Sequence, residues 1–129
     1  MKNEIFETRT VKIWLGEDGI LRMVGIKPNA SVTLTEAKEN FDACVKASKG
    51  KKRPLFVDIR QIKSVDRESR QYTAGEATAK FTYRVAILFG SPLSKFFGNL
   101  FLKLNNPLLP TKLFSSEDEA IEWLKGYME

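Results

Sequence analysis

Histidine is absent from the 129 residues, and cysteine occurs once. The first absence excludes Ser-His-Asp and Cys-His triads, histidine metal sites and the usual proton switch near neutral pH. The second excludes an internal disulfide, because Cys44 has no mate. Neither G-x-G-x-x-G nor G-K-[ST] occurs, so no glycine-rich phosphate cradle is written in the chain. Long apolar runs are also missing. The greasiest stretch, Leu93 to Leu109, is interrupted by Lys95, Lys103, Pro107 and three Asn, short of the ~20 apolar residues that a spanning helix needs. Met1 to Thr10 holds four charged residues and no signal-length apolar stretch, so the expected location is cytoplasmic.

What is present is an ordinary single-domain composition, 43% apolar and 29% charged, long enough for one core without disulfides or structural metal. The net charge of +5 permits anionic partners, but mixed signs along most helical segments argue against nucleic acid. The dense cluster Lys46, Lys49, Lys51, Lys52 and Arg53 surrounds Gly50 and reads as a solvated helix end. Residues 1–9 read as an N-terminal arm and residues 10–129 as one α/β domain.

Thr10 to Leu15 alternates, as a half-buried strand does; Gly16-Glu17-Asp18-Gly19 makes a turn, and Ile20 to Ile26 completes a hairpin. Thr33 or Thr35 caps a helix over roughly residues 35–49, with Thr33 and Glu36 at capping-box spacing. Pro54 to Ile59 and Tyr83 to Phe89 are short, nearly continuous apolar runs, the pattern of strands covered on both faces. Between them Asp66 caps a helix of about 67–81, whose Ala74, Gly75, Ala77, Thr78 and Ala79 suit close approach to a sheet. Ser91 and Pro92 start a third helix with a wide stripe of Leu93, Phe96, Phe97, Leu100, Phe101 and Leu104. Thr111 to Phe114 is a short strand, and Ser116 with Glu119 opens a terminal helix. The expected order is ββαβαβαβα: a mixed, mostly parallel five-stranded sheet with about four helices.

This order, the Val57-Asp58-Ile59 strand, the segment Ser64 to Ser69 and the ending Leu113-Phe114-Ser115-Ser116-Glu117-Asp118-Glu119-Ala120-Ile121-Glu122-Trp123-Leu124 resemble the STAS family, named for sulphate transporters and anti-sigma factor antagonists. The likeness covers about residues 10–127 and points to an uncharacterised bacterial branch of STAS-like, SpoIIAA-like proteins. It implies a protein-interaction or regulatory module; a broader likeness to CRAL-TRIO lipid carriers implies a small-ligand or lipid-binding alternative. The family's switch is an Asp followed by Ser, by a phosphorylated Ser or Thr, and by Gly. Laid on this chain it falls on Asp66, Arg67 and Glu68, so the acceptor is missing, with Ser64 and Ser69 flanking. Glu68 carries one negative charge where phosphate carries ~1.5 to 2.

Three surfaces follow as candidates. The switch region, Ser64, Asp66, Arg67, Glu68 and Ser69, is a partner surface. Ligands of open parallel sheets bind beyond the carboxyl ends of the strands, which puts Asp58 and Arg60 near Gly90, Ser91, Ser94 and Lys95; there a helix N-terminus favours an anion, unless Ser91 merely caps and Lys95 is solvated. Phe96, Phe97, Leu100, Phe101, Leu108 and Leu109 are mostly core, with a surplus for a dimer mate, a protein partner or an apolar ligand, or beside Lys95 and Lys103 for a membrane surface. Asp66, Glu68 and Glu76 with Arg67 and Arg70 read as a solvated charged face, and Cys44 as a small buried hydrophobe. No catalytic residue, metal or cofactor is implied.

Overall fold

In the computed structural model, which describes residues 4–126, the alternating segments form a hairpin of β2 (Val11–Leu15) and β3 (Leu21–Gly25), paired antiparallel with Val11 opposite Gly25. Its turn closes through Gly19 at φ 83°, a conformation that costs glycine little. Asp18 fastens the turn by accepting from Ile20 N (3.1 Å) and from both terminal nitrogens of Arg22 (2.9 Å each). The Arg22 hydrogen bonds hold the Asp18 carboxyl below the usual carboxylate range. A carboxylate with a lowered folded-state pKa contributes stability above its unfolded pKa of about 3.9, and loses it as pH falls through the folded value. Asp18→Asn should therefore cost about 1–2 kcal/mol at pH 7. Urea unfolding should show the gap to wild type closing in acid; a gap of constant size from pH 7 to pH 2 would contradict this.

The sheet has the order β1-β2-β3-β5-β7-β8, with β1 (Phe6–Glu7), β5 (Arg53–Asp58), β7 (Thr82–Leu88) and β8 (Thr111–Phe114). The β1-β2-β3 end is antiparallel, and β3-β5, β5-β7 and β7-β8 are parallel. A second sheet is the parallel pair β4 (Ala30–Val32) and β6 (Ile62–Val65). Eight strands thus replace the expected five. The three additional ones, β1, β4 and β6, are two to four residues long, too short for periodicity to register.

The continuous apolar runs have the expected cause: the central strands are buried on both faces. Leu55, Val85 and Ile87 face α1 (Leu34–Ala47) and α2 (Arg67–Ala74), joining Val11, Ile13, Met23, Phe41, Cys44 and Phe81. Phe56, Ala86 and Leu88 face α4 (Glu117–Lys125), joining Ile20, Ala120 and Leu124. Cys44 is fully buried, and burial pushes its thiol pKa upward.

Two helices depart from expectation. The one expected over 67–81 ends at Ala74; Gly75 is extended, and a 3₁₀ turn, Thr78–Lys80, follows, bonded back through the Thr78 hydroxyl to the Thr73 carbonyl. The third, α3 (Pro92–Leu100), continues as a wider π turn, Phe101–Asn105, and stops at Asn106 in the left-handed conformation, φ 47°. The first helix starts as Thr33 and Glu36 require: the Thr33 N–H and hydroxyl each donate to Glu36 Oε1 at 2.9 Å.

Candidate functional site

Where α1, α2 and α3 converge on the sheet, their innermost positions carry short side chains. Ala37 on α1, Ser69, Thr73 and Ala74 on α2, and Gly98 on α3 leave a partly enclosed cavity of about 140 Å³ above Leu55, Val57, Val85 and Ile87. Phe41, Phe97 and Phe101 complete its apolar wall, with Val32, Ile62 and Val65 of the small sheet at one side. Phe41 is held by rings at 5.2 Å (Tyr72) and 5.4 Å (Phe81).

The polar groups lining this space are already engaged. Asn40 Oδ1 accepts from the Thr8 hydroxyl (2.6 Å), and its amide nitrogen donates to Thr10 Oγ1 (3.2 Å). The Thr73 hydroxyl donates to Ser69 O (2.9 Å). Arg70, on the wall, donates to the Val65 carbonyl and to Asn105 Oδ1, tying α2 to β6 and to the π turn. No buried side-chain nitrogen or oxygen among the described residues lacks a partner. Burying a polar group here without a matching partner would cost roughly 1–3 kcal/mol by mutational estimates, so the lining is suited to apolar groups.

The strand-end residues do come together. Arg60 forks the carboxylate of Asp58 at the end of β5, with Nε 3.0 Å from Oδ1 and Nη2 2.7 Å from Oδ2. The stem of Arg60 lies so close over Gly90 that a Cβ there would meet its Cγ at 2.8 Å. The start of α3, however, is closed by its own cap. Ser91 Oγ accepts from Ser94 N, while Ser94 Oγ accepts from the N–H groups of Gly90 and Ser91, all at 3.0 Å. Donors spent this way are not available to an anion. Lys95 is exposed, its Nζ 5.6 Å from the centroid of Phe89.

In the switch region Asp66 caps α2, accepting from Ser69 N at 2.8 Å. Ser69 is buried, Ser64 donates its hydroxyl to Ser31 Oγ at 3.0 Å, and Arg67 and Glu68 are exposed. The aromatic helix is turned differently from the expectation that core packing takes most of its stripe. It buries Ser94, Gly98 and, in the π turn, Phe101; Leu93, Phe96, Leu104 and Leu108 are exposed, and Phe97, Leu100 and Leu109 half-buried. The physical reason is close approach: a Cβ on Gly98 would stand 2.7 Å from Leu113 Cδ2. Only the small side of α3 fits against β8. Sequence reasoning missed Asn40, Thr73 and Arg70 as lining residues; the short side chains it noted in the second helix were the available signal.

The model of one protein family, a domain of unknown function, DUF7793, matches residues 13–128. The chain belongs to the DUF7793 family. Its architecture is the SpoIIAA-like fold, as the resemblance implied. A solved structure from Shewanella loihica PV-4, an uncharacterised protein of the DUF3478 family described as having that fold, superposes with a TM-score of 0.59 at 17% identity, over 95% of this chain and 92% of that one. A protein of unknown function from an Arthrobacter species is 29% identical over 87% of this chain and 90% of that one, with a TM-score of 0.34. No curated protein matches this DUF7793 chain. Among the described residues no helix is long and apolar enough to cross a membrane, and no cluster of side chains is suited to hold a metal ion.

Proposed function

We propose that this DUF7793 domain is a non-enzymatic binding module that holds a small apolar molecule, about one aromatic ring in size, between its sheet and helices α1 to α3. The carrying observation is the cavity of about 140 Å³ whose lining polar groups are spent on structural hydrogen bonds. Dry apolar cavities of ~150 Å³ take up benzene or xenon, whereas a long acyl chain exceeds this volume. No acid-base pair converges on the cavity: the carboxylate of Asp58 is forked by Arg60.

The test is titration with benzene, toluene and indole, followed by thermal unfolding and amide NMR shifts. Occupancy at ten times Kd should stabilise by about 1.4 kcal/mol, raising Tm by roughly 5 °C. Shifts should concentrate at Ala37, Phe41, Ala74 and Phe97. Ala74→Phe, which fills the space, should remain folded and lose the response. No Tm rise and no shift with any probe would remove the reading.

A protein-interaction module is the second reading, favoured by a shallow groove between α2 and the π turn, lined by Gln71, Gly75, Asn105 and Asn106 with the apolar side chains of Leu104 and Leu108. A second copy seated there would give a concentration-dependent mass in sedimentation that Gln71→Glu lowers; a monomer mass at all concentrations would remove self-association.

A further inference from the structure

We propose that the outer face of α3 and its π turn is a docking face for an anionic lipid surface. The face is unusual because the helix is seated on its small side. With Ser94 and Gly98 inward, Leu93 is 47%, Phe96 57%, Leu104 71% and Leu108 64% exposed, an apolar ridge on one element and the loop that follows it. Large apolar side chains gathered on a soluble surface mark a contact site, not a free one.

Charge identifies what the contact is. From Ala77 to Ser116 there is no Asp or Glu, while Lys80, Arg84, Lys95, Lys103 and Lys112 lie in that stretch. Arg84 and Lys112 lie on the α4 side of the sheet, against Trp123 and Phe114, so the cations on the ridge's own element are Lys95 and Lys103, and no acidic residue falls on α3 or its π turn. Lys95 and Lys103 occupy exposed positions on the same helical stretch as Phe96 and Leu104. Phe and Leu flanked by Lys is the composition of helices that lie in the headgroup region, where apolar groups insert and the long basic stems reach anionic phosphates. The overall net charge of +5 also draws the domain toward a negative surface before contact. This assignment is independent of what occupies the cavity.

Vesicle flotation tests it, with phosphatidylcholine vesicles and with 70:30 phosphatidylcholine:phosphatidylglycerol vesicles at 0.1 M and 0.5 M NaCl. The bound fraction should be at least fivefold higher on the anionic vesicles at low salt and fall at high salt. The double variant Phe96→Asp/Leu104→Asp should lower binding at least tenfold, and Lys95→Glu/Lys103→Glu by a similar factor. Val45→Asp, at an exposed site on α1, should leave it unchanged. All three alter exposed positions, so circular dichroism and Tm should stay those of wild type. No binding to anionic vesicles, or binding that survives Phe96→Asp/Leu104→Asp, would overturn the proposal. So would self-association without vesicles that the same double variant abolishes, since a second copy would then be the occupant.

Discussion

Phe56→Ala should cost this domain about 3–5 kcal/mol, a large share of the ~5–15 kcal/mol that holds a typical domain folded. Phe56 is 2% exposed in the centre of β5 and packs into the cluster of Ile20, Ala86, Leu88, Ala120 and Leu124 beneath α4. Truncation loses the transfer free energy of the ring and leaves a void that neighbours on a rigid parallel strand can fill only in part. The cavity lies on the opposite face of the sheet and Phe56 does not line it. Whatever fraction of Phe56→Ala remains folded should therefore bind apolar probes as wild type does. Guanidinium unfolding measures the loss, and a cost below about 1 kcal/mol would show that α4 does not seal this face.

Gly98→Leu should be the second most damaging change, at about 2–3 kcal/mol, and unlike Phe56→Ala it should also abolish probe binding. Two effects oppose each other at this position. Replacing a mid-helix glycine gains up to about 1 kcal/mol of helix propensity. Against that, the first added carbon lies 2.7 Å from Leu113 Cδ2 and 3.3 Å from Cδ1. With Ala only that carbon is added, and the flexible end of Leu113 can give by a few tenths of an ångström, so Gly98→Ala should be near neutral. With Leu the further atoms must enter the α3–β8 contact, and overpacking costs ~1–3 kcal/mol before the cavity wall is displaced. Unfolding and toluene titration on both variants separate these effects. A Gly98→Leu protein as stable as wild type, and still binding, would mean that α3 is not seated on Leu113.

Much of the scaffold was legible because its signals are local. The Val11, Ile13, Leu15 alternation, the Asp18-Gly19 turn and the Thr33 and Ser116 caps each specify their own element within a few residues. The runs around residues 55 and 85 read as buried strands, and they do lie parallel and adjacent, Leu55 opposite Val85. β4 and β6 were not legible: three- and four-residue strands whose pairing spans some thirty positions leave no local pattern. The end of α2 was misread for a related reason, because the bond of Thr78 to the Thr73 carbonyl competes with helix continuation only once the turn has formed.

The sequence by itself determined the layered α/β class, the two central strands and the exclusion of histidine chemistry, since these depend on side-chain period and on residue types. Only the tertiary structure decided the site. The stripe of α3 satisfies helical periodicity equally well facing in or out, and the close contact of Gly98 with Leu113 sets the choice. The cavity likewise belongs to no residue: it is the space left when three helices with short inner side chains come to rest on one sheet.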